Sequence, residues 1–209
     1  MLIFLVAAGS LWFIRRFDVE YACCKKGFSY RQFAALAGIC CINERIIGNF
    51  TTVKIKYVLF CIVAGGLVTA CATDIAICQV HNFVWWGTGM AGSCMLFESL
   101  RNERQSEVFG KLISLLLFIL IQQLLFSRLY GRADCYAFSN CAIVEYAQGY
   151  GFRDCLFHML LAVILLAIVQ MLQKNMNRKG NLKKPVAFLP YITFSFWLKL
   201  FFVYLCKHS

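Results

Sequence analysis

Charge is scarce in this 209-residue chain: Asp, Glu, Lys and Arg make up 15% of it, against about 25% in a typical soluble domain. Acid is scarcer still, with 10 Asp+Glu facing 21 Lys+Arg and a formal net charge of +11. Proline occurs twice, so long helices can run without their commonest interruption. No Cys-x-x-Cys pair is present, and the only histidines are His81, His158 and His208. Apolar and aromatic residues fill the space, at 61% of the chain. This composition excludes intrinsic disorder and argues against an ordinary cytosolic enzyme. Uninterrupted apolar runs, rather than short alternating segments, predict an all-α membrane protein. It would be a polytopic helical bundle in the lipid bilayer, with its positive charge in the loops.

Six runs qualify as spans: Met1–Ile14, Tyr57–Thr73, Phe83–Phe97, Leu112–Phe126, Cys155–Leu172 and Val186–Cys206. Met1–Ile14 is short, but it lacks the basic start and small-x-small cleavage site of a signal peptide and reads as an anchoring helix. A seventh segment, Cys135–Phe152, contains Asn140, Glu145 and Gln148 and cannot face lipid all round. It is expected inside the bundle or along a water-filled cavity. Residues 15–56 hold eight Lys/Arg and residues 173–185 hold five, whereas the loop around Glu98–Glu107 is balanced. The positive-inside rule makes 173–185 cytoplasmic and 98–107 external. The same count puts the residues before Tyr57 outside, in conflict with the basic character of 15–56 unless 28–50 holds an interfacial or re-entrant helix. The basic loop 173–185 has no interleaved aromatics, so it reflects topology and anionic lipid, with no nucleic-acid partner.

Most of the twelve cysteines lie in apolar runs, where a free thiol is a small hydrophobe. Cys23–Cys24 and Cys40–Cys41 are adjacent pairs, without the spacing of a structural zinc site, and no metal is expected. His81 and Cys94 suggest a thiolate–imidazole pair. On one helix, thirteen residues separate them by about 19 Å, so they meet only if His81 lies in a folded-back loop.

Four aspartates occur. Asp18 sits in a charged loop, and Asp154 follows Arg153 at a helix start, where an acid suits the helix dipole. Asp74 and Asp134 instead lie at junctions between apolar helices, on the same membrane face by the topology above. Two carboxylates brought together in a low-dielectric site share one proton. That asymmetry suits hydrolysis: one group takes a proton from water while the other, protonated, polarises the peptide carbonyl. Glu145 and Lys199 are further buried-charge candidates, either as a long-range pair or as a cavity-facing acid and a snorkelling lysine. Gly65, Gly66, Gly87, Gly89 and Gly92 offer smooth helix faces for tight packing.

Around the two aspartates the chain reads Thr73-Asp74-Ile75-Ala76-Ile77-Cys78-Gln79-Val80-His81-Asn82 and Gly131-Arg132-Ala133-Asp134-Cys135-Tyr136-Ala137. Later, a basic loop leads through Lys183-Lys184-Pro185-Val186-Ala187-Phe188-Leu189 to Pro190. This pattern over about residues 55–206 resembles the type IV prepilin peptidases, membrane aspartic proteases of the GxGD type. The resemblance implies a six-helix catalytic module over 53–209, preceded by an N-terminal helix and basic segment over 1–52. It makes Asp74 and Asp134 catalytic, with Asn82, Gly131, Ala133 and Pro190 as supporting motif positions, and it requires no cofactor. Three positions depart from the family pattern: His81 replaces a proline, Ala133 the second glycine, and Tyr136 a lysine. With no Cys-x-x-Cys pairs, a short form without the methyltransferase domain is implied. Its substrate would be a Flp-like prepilin, with a basic leader and an apolar helix, cleaved at the cytoplasmic face of the cell membrane to serve type IV pilus assembly and protein secretion. Two other readings stand beside it: a membrane cysteine endopeptidase that processes signalling peptides, and a non-catalytic membrane scaffold or small transporter.

Overall fold

The computed structural model describes residues 1–17, 38, 40, 42, 45, 54–77, 79–101, 103–176 and 187–208. These form seven α-helices and no strand. In chain order they are α1 (Leu2–Phe17), α2 (Lys54–Ile77), α3 (Asn82–Leu100), α4 (Gln105–Leu124), α5 (Arg132–Ala147), α6 (Phe152–Met176) and α7 (Leu189–His208). Asp18, Cys23, Cys24, Cys41 and the basic run from Arg178 to Lys184 lie outside the described residues.

Three helical stretches are long and apolar enough to cross a membrane: Lys54–Ile75, Gln105–Arg128 and Phe152–Leu172. Leu2–Ile14 and Leu189–Phe202 are apolar but shorter. Burial sorts the three long stretches into two roles. In the α2 stretch 67% of the window is buried, against 17% in each of the other two. Outward-facing Leu112, Ile113, Leu116 and Leu120 of α4, and Leu160, Val163, Ile164 and Ile168 of α6, form apolar outer walls.

The most polar helix, α5, is also the central one, packed against α3, α4, α6 and α7. Eleven of its sixteen residues are buried, which is how the bundle accommodates Ser139, Asn140 and Glu145. Each finds a partner: Ser139 Oγ donates to Cys135 O at 2.8 Å, and Asn140 Nδ2 donates to Thr88 Oγ1 of α3 at 2.9 Å. The helix is shorter than Cys135–Phe152. Its last turn closes at Gly149, whose φ of +87° is the left-handed conformation that glycine adopts without strain. Tyr150 N donates to Glu145 O and Gly149 N to Tyr146 O, both at 3.0 Å, the paired bonds of a Schellman cap. After this turn α6 starts with Asp154 Oδ2 accepting from Gly151 N at 3.0 Å, consistent with the helix-start role expected of that acid.

Small residues bring α1, α2 and α3 together. A Cβ on Gly65 would lie 2.7 Å from Val6 Cβ of α1, and one on Gly66 would run into Thr88 Cγ2 of α3. Gly89 and Gly92 face Asn140 and Ile143 of α5 in the same manner. Gly87 departs from the expected packing role, since nothing lies within 4 Å of its Cβ position.

Candidate active site

Asp74 sits near the C-terminal end of α2 and Asp134 in the first turn of α5, and the fold brings both to one end of the bundle. They are close enough for the charge of Asp74 to act directly on Asp134. Burial, reinforced by Asp74, pushes the Asp134 carboxyl up to about 7, against a partial offset from the Gly131 backbone amide. A carboxyl near that value exchanges a proton readily around neutral pH.

Asp74 is held by a helix terminus. Its Oδ2 accepts a hydrogen bond from Leu189 N at 3.3 Å, and the Phe188 amide faces the same group. Leu189 is the first residue of α7, so this carboxylate from a distant helix caps the α7 N-terminus, where free amides and the dipole favour an anion. Pro190 follows in the first turn. There the missing N–H breaks no helical bond, and the fixed φ suits helix entry.

The aromatic residues Tyr130, Phe138 and Phe188 line the inner side of this end. The Tyr130 ring lies 5.8 Å from Phe138 and 5.6 Å from Phe188, centroid to centroid, and Phe138 and Phe188 are 6.0 Å apart. The Tyr130 hydroxyl reaches Gln122 Oε1 at 3.3 Å. Neither the amides of Phe188 and Leu189 nor this aromatic wall was deduced from the sequence. The nearest signal was the Phe188-Leu189-Pro190 triplet at a helix start.

The supporting motif positions take definite places. Gly131 is the N-cap of α5 with φ −55° and ψ 160°, an ordinary extended conformation. Ala133 lies within the first helical turn, where an alanine favours the helix and no glycine freedom is needed. Asn82 is the exposed first residue of α3, and His81 is its N-cap. Tyr136 is exposed, with its ring 6.3 Å from Trp85 of α3. Arg132 is exposed and forms no ion pair with either aspartate.

His81 and Cys94 are not brought together. They are the N-cap and an exposed mid-helix position of the same continuous α3, so they stay about 19 Å apart along the axis. Around the C-terminal half of α5 the long-range pair Glu145–Lys199 does form, with Nζ 2.8 Å from Oε2, and His158 joins it. No protein-family model, curated protein or solved structure was found to match this chain.

Proposed function

We propose that this chain is a multi-pass aspartic endopeptidase of the cytoplasmic membrane, of the prepilin-peptidase kind. The observation that supports the reading is the meeting of Asp74 and Asp134 at one end of the bundle, with Asp134 held protonated to about 7. A shared proton is what acid–base hydrolysis of a peptide by two carboxyls requires. The α4 and α6 outer walls face lipid, and the aspartate end faces the cytoplasm. The substrate is a Flp-like prepilin whose apolar helix lies in the bilayer, with its basic leader at the cytoplasmic face.

The ionised carboxylate takes a proton from a water molecule as that water attacks the scissile carbonyl. The protonated partner donates to the carbonyl oxygen and stabilises the tetrahedral intermediate. Collapse of the intermediate returns a proton to the leaving amine, and no covalent acyl-enzyme forms. The two carboxyls titrate as a unit, so the pair, rather than either residue, holds the catalytic proton. The Phe188 and Leu189 amides fix Asp74 for this exchange.

The reading is tested by co-expressing the protein with a Flp-type prepilin in a host lacking its own peptidase. Product is followed by mobility and N-terminal sequencing. Wild type is expected to cut after the leader glycine. Asp74→Ala and Asp134→Ala are each expected to lower the rate by about a thousandfold or more, as losses at a two-group catalytic unit do. Cleavage that survives both substitutions rejects the aspartic mechanism. In proteoliposomes, activity is expected to fall as pH rises through about 7, where the pair loses its shared proton.

A further inference from the structure

Three ionisable side chains are buried together around the C-terminal half of α5: Glu145 of α5, His158 of α6 and Lys199 of α7, at 0%, 2% and 4% exposure. Lys199 Nζ donates to Glu145 Oε2 at 2.8 Å and to Asp154 O at 2.9 Å, and lies 4.8 Å from the centre of the Tyr150 ring. His158 Nδ1 is 3.1 Å from Glu145 Oε1, a close contact without a directed hydrogen bond, while its Nε2 contacts Ile192 O at 3.0 Å. Glu145 thus ties its own helix to two others. Replacing a buried ion cluster by packed apolar residues is often neutral for stability, so stability alone does not account for such an arrangement. Specifying one arrangement of helices over its neighbours is an established use of buried polar groups.

The register of these helices supplies the link to the aspartates. From Asp134 to Glu145 along α5 is eleven residues, or about 16 Å, and from Leu189 to Lys199 along α7 is ten residues, or about 15 Å. The two helices therefore run side by side in the same direction. They are joined near one end by Lys199–Glu145, and at the other α7 holds the carboxylate of Asp74 through Leu189 N. A slip of one helical residue between α5 and α7 would move Asp134 by about 1.5 Å along the axis relative to Asp74. A displacement of that size is enough to cost about a hundredfold in catalysis.

We propose that Glu145, His158 and Lys199 form a buried ionic clamp that fixes the register of α5 against α7 and so positions Asp134 against Asp74. They are positioning residues, acting through the helices that carry the carboxyl pair. The catalytic part of this assignment rests on the aspartic-peptidase reading, but its geometric part does not. The groups around the clamp are Cys141 and Tyr146 on α5, Tyr150 in the α5–α6 turn, and Asp154 and Cys155 on α6.

The deciding variant is Glu145→Gln with Lys199→Met, which removes both opposite charges and leaves neither one buried alone. The substrate-independent readout is infrared titration of the protonated carboxyl band of Asp134, identified by its loss in Asp134→Asn. A thermal scan reports folding. The double variant is expected to melt within a few degrees of wild type. Its Asp134 midpoint should fall by about one pH unit, because a carboxyl displaced from Asp74 is better hydrated. With prepilin as substrate, kcat should drop about tenfold or more with KM within about twofold. If the double variant fails to accumulate, Glu145→Gln with Lys199→Gln, which keeps a neutral hydrogen bond, carries the same comparison. A folded variant with the wild-type Asp134 midpoint overturns the clamp and leaves the three residues as packing. A shifted midpoint in a protein whose wild type cuts no prepilin upholds the clamp and rejects the peptidase reading instead.

Discussion

A carboxyl that keeps its proton to about pH 7 in the folded protein opposes folding once it ionises. Asp134 is such a group, raised from 3.8 to about 7 with Asp74, Tyr130 and Cys135 as its titratable neighbours. The folded state binds this proton more tightly than the unfolded chain. The favourable contribution is therefore fully present below about pH 4 and is lost as pH rises through about 7. Asp134→Asn cannot ionise, so it is expected to be more stable than wild type at pH 8, but not at pH 4. The gain is on the order of 1–2 kcal/mol after discounting for the solvent that reaches a partly exposed group, or roughly 4 °C. Thermal scans of both proteins in detergent at the two pH values check this. A gain of equal size at both would show that the charge is not its source.

At the scale of helices, two glycines do separate work. Gly66 lets α2 meet α3 where Thr88 stands, and Thr88 cannot turn aside freely. Its hydroxyl bonds Val84 O at 2.8 Å and accepts from Asn140 Nδ2 at 2.9 Å. Gly66→Ala is expected to destabilise by about 1–3 kcal/mol, the usual result of overpacking a tight contact. Gly87→Ala, on an open face of the same helix pair, should be neutral or stabilising by up to about 1 kcal/mol. Denaturation of the two variants side by side separates close approach from helix propensity. Gly149 works through its backbone instead. An alanine there must adopt φ near +87°, at a cost of about 1–2 kcal/mol, although its side chain would meet nothing.

At the scale of the whole molecule, the helix directions fix which loops share an end. The end of α2, the start of α3, the α4–α5 connection and the start of α7 gather at the aspartate end. The α3–α4 connection, whose Glu103 pairs with Lys111 of α4 at 2.6 Å, lies at the other. Under the proposed function, alkaline-phosphatase fusions after residue 104 should be active outside the cell, and fluorescent-protein fusions after residue 131 should light up inside. The reverse pattern would place the aspartates outside and remove the cytoplasmic prepilin as substrate. Phe13, near the end of α1, stacks edge-on to Phe83 at the start of α3, with ring centroids 5.4 Å apart. Together with the Val6–Gly65 contact, this makes α1 run parallel to α2. Phe17 and Lys54 thus lie toward opposite ends of the bundle. Gly38, Cys40, Ile42 and Arg45 between them are helical, and Cys40 is buried.

Hydrophobic runs and their interruptions determined the helical class, the approximate position of every helix described here, and the singling out of Asp74 and Asp134. Those features are written locally, as an apolar stretch or as an acid where acid is rare. The end of α5 was misplaced because a Schellman turn at Gly149 looks, in composition, like a continuation of the same moderately apolar segment. The placing of Asp74 on the α7 N-terminus, the aromatic wall of Tyr130, Phe138 and Phe188, and the entry of His158 into the Glu145–Lys199 pair depended on tertiary structure. Each joins residues from different helices or loops, and backbone amides carry no side-chain signature. Only the packing of α2, α5, α6 and α7 decides which distant groups meet.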